Sequence, residues 1–212
     1  MELTKTELND KYVQRISTKR LFTASNFKAP KRKIEWEATA SLVDVKRIMW
    51  QVLCHTLRQI GTEPVIMREQ FADISEWLHH NDGRGLFLYG KCGQGKTLLA
   101  KYVIPTCLEI IHTKMSHYYD IVELQENHDA LKMALWYGIT IVDDVGVEAA
   151  SSFKDQAFAR LIDNAEKNGK IVIATSNFGE DELRNRYGER TLDRIKGNMK
   201  RVLFDGENSL RK

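Results

Sequence analysis

Eight consecutive residues, Gly90-Lys91-Cys92-Gly93-Gln94-Gly95-Lys96-Thr97, carry the spacing G-x-x-x-x-G-K-[ST]. That spacing suits a turn that closes on a phosphate. The glycines let backbone N–H groups point inward, and a following helix adds the positive end of its dipole. In this reading the whole loop, Lys91 and Gln94 included, binds the cofactor, and Cys92 contributes backbone only. Lys96 reaches the β- and γ-phosphates, and the Thr97 hydroxyl ligates Mg²⁺. Complementary carboxylates, Asp143 and Asp144, end the apolar run Gly138-Ile139-Thr140-Ile141-Val142. Asp143 is the candidate Mg²⁺ residue, acting mostly through water, and Asp144 is placed to orient or deprotonate an attacking water. A second apolar run, Ile171-Val172-Ile173-Ala174, leads into Thr175-Ser176-Asn177. Asn177 is expected at a strand tip within reach of a γ-phosphate, although taken alone it reads as a helix cap. The segment 183–195 is rich in arginine, whose rigid fork stabilises charge on a transferring phosphoryl group.

These residues need a scaffold, and the periodicity supplies one. The run Leu86-Phe87-Leu88-Tyr89 is a strand leading into the glycine-rich turn, and a helix is expected over residues 97–112, kinked or split near Ile104 by Pro105. Residues 117–122 read as a strand, 123–136 as a helix, and 138–144 as a central parallel strand buried on both faces. Ser152 is expected to open a helix that stops at Asn168-Gly169; Ile171 to Ala174 form the next strand and Arg201 to Phe204 the last. Upstream, Ser41-Leu42-Val43-Asp44 resembles a helix start. Leu42, Val45, Met49, Val52, Leu53, Leu57 and Ile60 recur at helical spacing, and a second helix after Pro64 carries Met67, Phe71, Ile74 and Leu78 on one face. Strands alternating with helices define an α/β domain, with its ligand site at the carboxyl ends of the strands.

The chain has 212 residues, 42% of them apolar, enough for one α/β domain with an extension. Its net charge of +3 is unevenly distributed: residues 11–33 carry eight basic side chains and no acidic one, so the remainder is net acidic. Residues 1–38 therefore read as a basic arm able to contact nucleic acid or an acidic protein surface, with Leu21, Phe22 and Phe27 available for docking. The arm reads equally as a solvated tail. Cys54, Cys92 and Cys107 are odd in number and lack paired metal-ligand spacing, which fits a reducing, cytoplasmic setting. His112, His117 and His128 also lack ligand spacing.

The order of these motifs resembles the AAA+ ATPases of the DnaC/IstB type, bacterial helicase loaders and transposition helper ATPases. The residues carrying the resemblance are the loop 90–97, Ile141-Val142-Asp143-Asp144-Val145-Gly146 and Ile173-Ala174-Thr175-Ser176-Asn177. Most specific is Tyr187-Gly188-Glu189-Arg190-Thr191-Leu192-Asp193-Arg194-Ile195, which is similar to the family's G-[ED]-R-x-x-[DS]-R-[LI] segment. The match covers residues 65–212. It implies a P-loop NTPase three-layer sandwich with a five-stranded parallel sheet, no C-terminal helical lid, and the arm preceding an ATPase domain over 39–212. It further implies ATP and Mg²⁺ as cofactors, Lys96, Thr97 and Asp143 as the Walker residues, and Asn177 as the γ-phosphate sensor. Arg194 stands where the family places an arginine finger serving a neighbouring subunit, and Arg190 is the second candidate. Many AAA+ proteins have Glu at the position of Asp144; the shorter side chain implies slow turnover.

The implied partners are a replicative helicase or a transposase, single-stranded or duplex DNA, and further copies of this chain. A helicase loader is the leading reading, with a transposition helper as its alternative. A small-molecule kinase lacks acceptor-binding residues here, a GTPase its Asn-Lys-x-Asp motif, and an ABC protein its signature segment. A module that holds ATP without much turnover is compatible with Asp144.

Overall fold

The computed structural model describes residues 32–61, 68–149 and 156–206. Most of the expected arm, Met67, Ser152, Phe153 and the tail from Glu207 lie outside the described residues.

Five parallel strands form one sheet: β1 (Gly85–Gly90), β2 (His117–Asp120), β3 (Ile139–Val145), β4 (Ile171–Ser176) and β5 (Met199–Phe204), in the order β2-β3-β4-β1-β5. β4 pairs with β3 on one side and β1 on the other, and all six of its residues are buried. Alternate side chains serve opposite faces, as strand pleating requires. Leu86, Leu88, Ile141, Ile171 and Ile173 belong to one core. Phe87, Val142, Val172 and Ala174 belong to the other. The first core is closed by α1 (Leu42–Gln59), α2 (Arg68–His79), α3 (Lys96–Leu98), a π-helical turn (Leu99–Val103) and α4 (Ile104–His112). The second is closed by α5 (Ile121–Glu126), α6 (His128–Trp136), α7 (Ala157–Asn168), α8 (Glu180–Tyr187) and α9 (Glu189–Asn198). Helices on both faces of a parallel sheet make the expected three layers.

Local chemistry sets the boundaries. Ser41 caps α1 by accepting the Asp44 N–H at 3.2 Å, and Val45, Met49, Leu53 and Leu57 bury the stripe read from the sequence, whereas Ile60, its last member, caps the helix and is exposed. The break expected at Pro105 takes the form of the π-helical turn, in which the Ile104 N–H reaches back to the Leu99 carbonyl. Pro105 then falls at the start of α4, where its missing N–H removes no needed bond. Two expectations are corrected. The strand ends at Asp120 rather than residue 122, because the Asp120 carboxylate caps α5 at the Val122 N–H. The helix expected over 123–136 is two helices, because Asn127 leaves helical geometry and caps α6 at the Asp129 and Ala130 N–H groups.

The described part of the chain forms one unit beginning at Arg32. Residues 34–38, counted with the arm in the sequence reading, pack on that unit. Trp36 is 5% exposed, meets Trp77 edge-on at 4.9 Å, and donates its backbone N–H to Asn81 Oδ1 at 2.9 Å. Ile34 N–H bonds the Gly169 carbonyl at 2.8 Å and Ala38 N–H the His79 carbonyl at 2.7 Å. Among the described residues no helix is long and apolar enough to cross a membrane.

Candidate functional site

The sheet order brings the candidate residues together. The glycine-rich loop follows β1, Asn177 follows β4, and the two aspartates close β3, so three adjacent strands deliver them to one carboxyl edge. The loop needs its glycines. Gly90, Gly93 and Gly95 have φ of 120°, 77° and 83°, values side chains rarely adopt. At Gly90 a Cβ would also stand 2.2 Å from the Phe204 carbonyl oxygen of β5. Gly95 caps α3, so the helix opens directly on the loop. Lys91 and Cys92 are exposed, whereas Gln94 is 6% exposed and donates to the Gly206 carbonyl at 3.4 Å. Thr97 lies half-buried in the first turn of α3.

Lys96 is 5% exposed. Its ammonium donates to the Gly90 carbonyl at 2.8 Å, the Lys91 carbonyl at 2.7 Å and Asn177 Oδ1 at 2.9 Å. The cap of α8 is Gly179, so the Asn177 side chain is committed to the lysine and not to the helix. These three acceptors are neutral, and phosphate oxygens would offer the ammonium stronger, charge-assisted bonds.

Asp143 is 2% exposed, and both its oxygens accept hydroxyl hydrogens: Tyr118 donates to Oδ2 at 2.8 Å and Thr175 to Oδ1. Burial, together with the hydrogen bond that the hydroxyl donates to Asp143, raises the Tyr118 phenol above its ordinary range, so it remains a donor. Asp144 stands at φ 56°, where the β3–β4 register shifts between Val142 and Val145. Left-handed backbone costs an L-residue about 1–2 kcal/mol, less for Asp than for most. The Asp144 N–H, turned out of the ladder, bonds Thr175 Oγ1 at 2.9 Å, and such a bond offsets about 1 kcal/mol. Gly146, at φ 111°, turns the chain onward, and its N–H bonds the buried Glu148 carboxylate at 2.9 Å.

The arginines lie elsewhere. Arg194 is 13% exposed on its side chain and held by two carboxylates of α7, with Nη1 2.7 Å from Asp163 and Nε 2.6 Å from Glu166. Arg190 is 76% exposed and lies 3.8 Å from Asp163. Hydrogen bonding from Lys167, with Arg194 beside it, holds the Asp163 carboxyl below its usual range, so it stays charged at neutral pH. Among the cysteines, burial pushes the Cys107 thiol up to about 12, which makes it inert.

Sequence reasoning did not assign Tyr118, Thr175 or Glu148. The Tyr118 and Thr175 contacts to Asp143 span 25 and 32 positions, which no local pattern records. Thr175 had one faint signal, a hydroxyl at the tip of an otherwise apolar strand.

A glycine-built turn on a helix N-terminus, an ammonium within it and buried oxygen ligands on the neighbouring strand tips fit a Mg²⁺-nucleotide. The sheet order and this loop define the fold class as a P-loop NTPase in its AAA+ form. No protein-family model matches the chain. A curated relative, the replicative helicase loader DnaI of Bacillus subtilis (strain 168), is 25% identical over 204 residues, covering 84% of this chain. The chain spans 66% of that relative's length. Among solved structures, the DnaC helicase loader matches with a TM-score of 0.61 and 19% identity over 74% of this chain and 98% of that one. DnaI matches with a TM-score of 0.56 and 18% identity over 70% of this chain and 92% of that one. AMPPCP-bound DnaA from Aquifex aeolicus has the same TM-score and identity, over 69% of this chain and 50% of its own. The resemblance read from the motifs agrees with these relatives, and the chain has the α/β fold of the DnaC and DnaI P-loop domains.

Proposed function

We propose that this chain is an ATP-binding and ATP-hydrolysing switch that acts on a replicative helicase as its loader. The observation carrying the reading is the Lys96–Asn177 bond, which ties the phosphate loop to the strand tip beside the two aspartates. The similarity to DnaI supports the helicase as the partner in preference to a transposase.

In this reading Thr97 and Asp143 hold Mg²⁺, and backbone N–H groups of the loop 90–97 hold the phosphates. Bound Mg²⁺ supplies positive charge to the β- and γ-phosphate oxygens. Lys96 exchanges part of its carbonyl and amide contacts for phosphate oxygens. Asn177, its present partner, thereby registers whether the lysine is engaged. Asp144 orients the attacking water and accepts its proton, with the β3 bulge fixing where its carboxylate points. Arg194 or Arg190 of a neighbouring copy completes the charge around the γ-phosphate. The basic arm contacts DNA or the helicase, with salt-dependent affinity if the contacts are to phosphates.

Lys96→Ala should weaken ATP binding by about a hundredfold, the loss expected for charge-assisted bonds to an anion. Isothermal titration with the non-hydrolysable analogue AMPPCP checks it. An unchanged affinity would remove the loop from the site.

A further inference from the structure

The β4 tip carries two hydroxyls, on Thr175 and Ser176, both fully buried and both directed at β3 where the ladder is interrupted. Thr175 Oγ1 accepts the Asp144 N–H at 2.9 Å and donates to Asp143 Oδ1. Ser176 Oγ donates to the Val145 carbonyl at 2.6 Å and accepts the Phe178 N–H at 3.0 Å. Side-chain hydroxyls therefore bond β3 backbone groups at the register shift, at the Asp144 N–H and the Val145 carbonyl. From β2, Tyr118 closes the arrangement on the other oxygen of Asp143, its ring 4.9 Å below the Lys101 ammonium. Each Asp143 oxygen gives one lone pair to a hydroxyl and keeps another, so the plane of the carboxylate is set while it can still coordinate.

We infer that Thr175 is the positioning residue of the site, one hydroxyl that sets both the Asp143 carboxylate for Mg²⁺ and the left-handed Asp144 backbone for the attacking water, with Tyr118 as its counterpart on Asp143. The inference rests on the nucleotide reading above. Its physical basis is that the two aspartates are consecutive on a strand, so their side chains would ordinarily leave opposite faces. The register shift between Val142 and Val145 and the left-handed Asp144 backbone interrupt that alternation, and the Thr175 hydroxyl is bonded to both residues there. Outer-shell donors of this kind set metal affinity by fixing ligand orientation.

The test compares wild type with Thr175→Val, which is nearly isosteric, Thr175→Ser, which restores the hydroxyl, and Tyr118→Phe. Two quantities are read: the Mg²⁺ midpoint for binding a fluorescent ATP analogue, beside its affinity in EDTA, and hydrogen exchange of the Asp144 amide by NMR in nucleotide-free protein. Thr175→Val should raise the Mg²⁺ midpoint about tenfold and speed Asp144 exchange by a similar factor, with affinity in EDTA within about twofold. Thr175→Ser should return both to near wild type. A valine variant with unmoved midpoint and exchange overturns the inference, as does a serine variant that rescues neither. If the valine variant does not fold, Tyr118→Phe decides by the same titration: a midpoint raised about threefold or more supports the inference, and an unmoved one overturns it. Failure of wild type to bind the analogue would overturn the nucleotide reading instead, and Asp144 exchange would still report the hold of Thr175 on the bulge.

Discussion

At the scale of single residues, the site works by satisfying polar groups with partners that a ligand can displace or share. Lys96 is buried against two carbonyls and an amide oxygen, and Asp143 against two hydroxyls. Neither arrangement leaves a bare charge in the interior, which would cost several kcal/mol, yet each remains open to a stronger ligand. His112 shows a different use of burial. Its Nε2 donates to the Leu78 carbonyl at 2.6 Å and its ring lies 5.4 Å from Trp36. Burial lowers its pKa from 6.5, so the folded protein favours the neutral ring. Because the folded value is the lower one, this contribution to stability is complete above about pH 6.5 and is lost as pH falls through the folded pKa. His112→Gln keeps a donor and does not titrate. Thermal melts from pH 8 to pH 5 should show wild type losing more stability on the acid side than the variant; parallel curves would refute the assignment.

At the scale of elements, irregularities sit where function needs them. The π-helical turn accommodates Pro105 downstream of the glycine-rich loop, and the β3 register shift falls at Asp143 and Asp144. The N-terminal strap around Trp36 is a structural counterpart. It joins α2 through Trp77 and Asn81 and reaches Gly169, at the end of α7. Replacing a buried tryptophan by alanine costs about 3–5 kcal/mol. Trp36→Ala should therefore lower the melting temperature by about 6–20 °C by scanning calorimetry. A shift within 2 °C or so would show that the strap is not part of the folded body. Truncations meant to isolate the arm should accordingly end before Arg32.

At the scale of the whole molecule, the proposed nucleotide site takes its loop and carboxylates from this chain, while Arg194 and Arg190 lie against carboxylates of α7. Freeing Arg194 means giving up Asp163 and Glu166, so its use by a neighbour would couple assembly to a rearrangement of α7 and α9. Arg194→Ala should leave ATP affinity nearly unchanged and cut turnover about a thousandfold, the loss typical of an arginine finger. Mixing it with Asp144→Asn protein should restore part of the activity, because each mutant supplies what the other lacks; absence of rescue at every ratio would exclude a shared site. The face carrying α8, α9 and β5 is a poor candidate for nucleic acid. Arg184, Lys196, Lys200 and Arg201 there are each paired with Asp or Glu. The basic run at residues 11–33 is the proposed contact.

The sequence by itself carried the fold class and the residues proposed for a phosphate site. Both are written in local patterns: glycines where positive φ is required, a lysine and a threonine at fixed offsets from them, and apolar strands ending in polar tips. It also marked the stripes of α1 and α2 and the break near Ile104, because helical periodicity and proline act over a few residues. Where neighbouring side chains compete with backbone pairing, as Asp120 and Asn127 do, boundaries moved by a few residues. Only the tertiary structure decided what holds the twin aspartates, how residues 34–38 join the body, and where Arg194 rests. Each of those contacts joins residues tens of positions apart, and pairings of that kind exist only once the sheet order has set β4 between β3 and β1. The loop names the chemistry; the register of three neighbouring strands assembles the site.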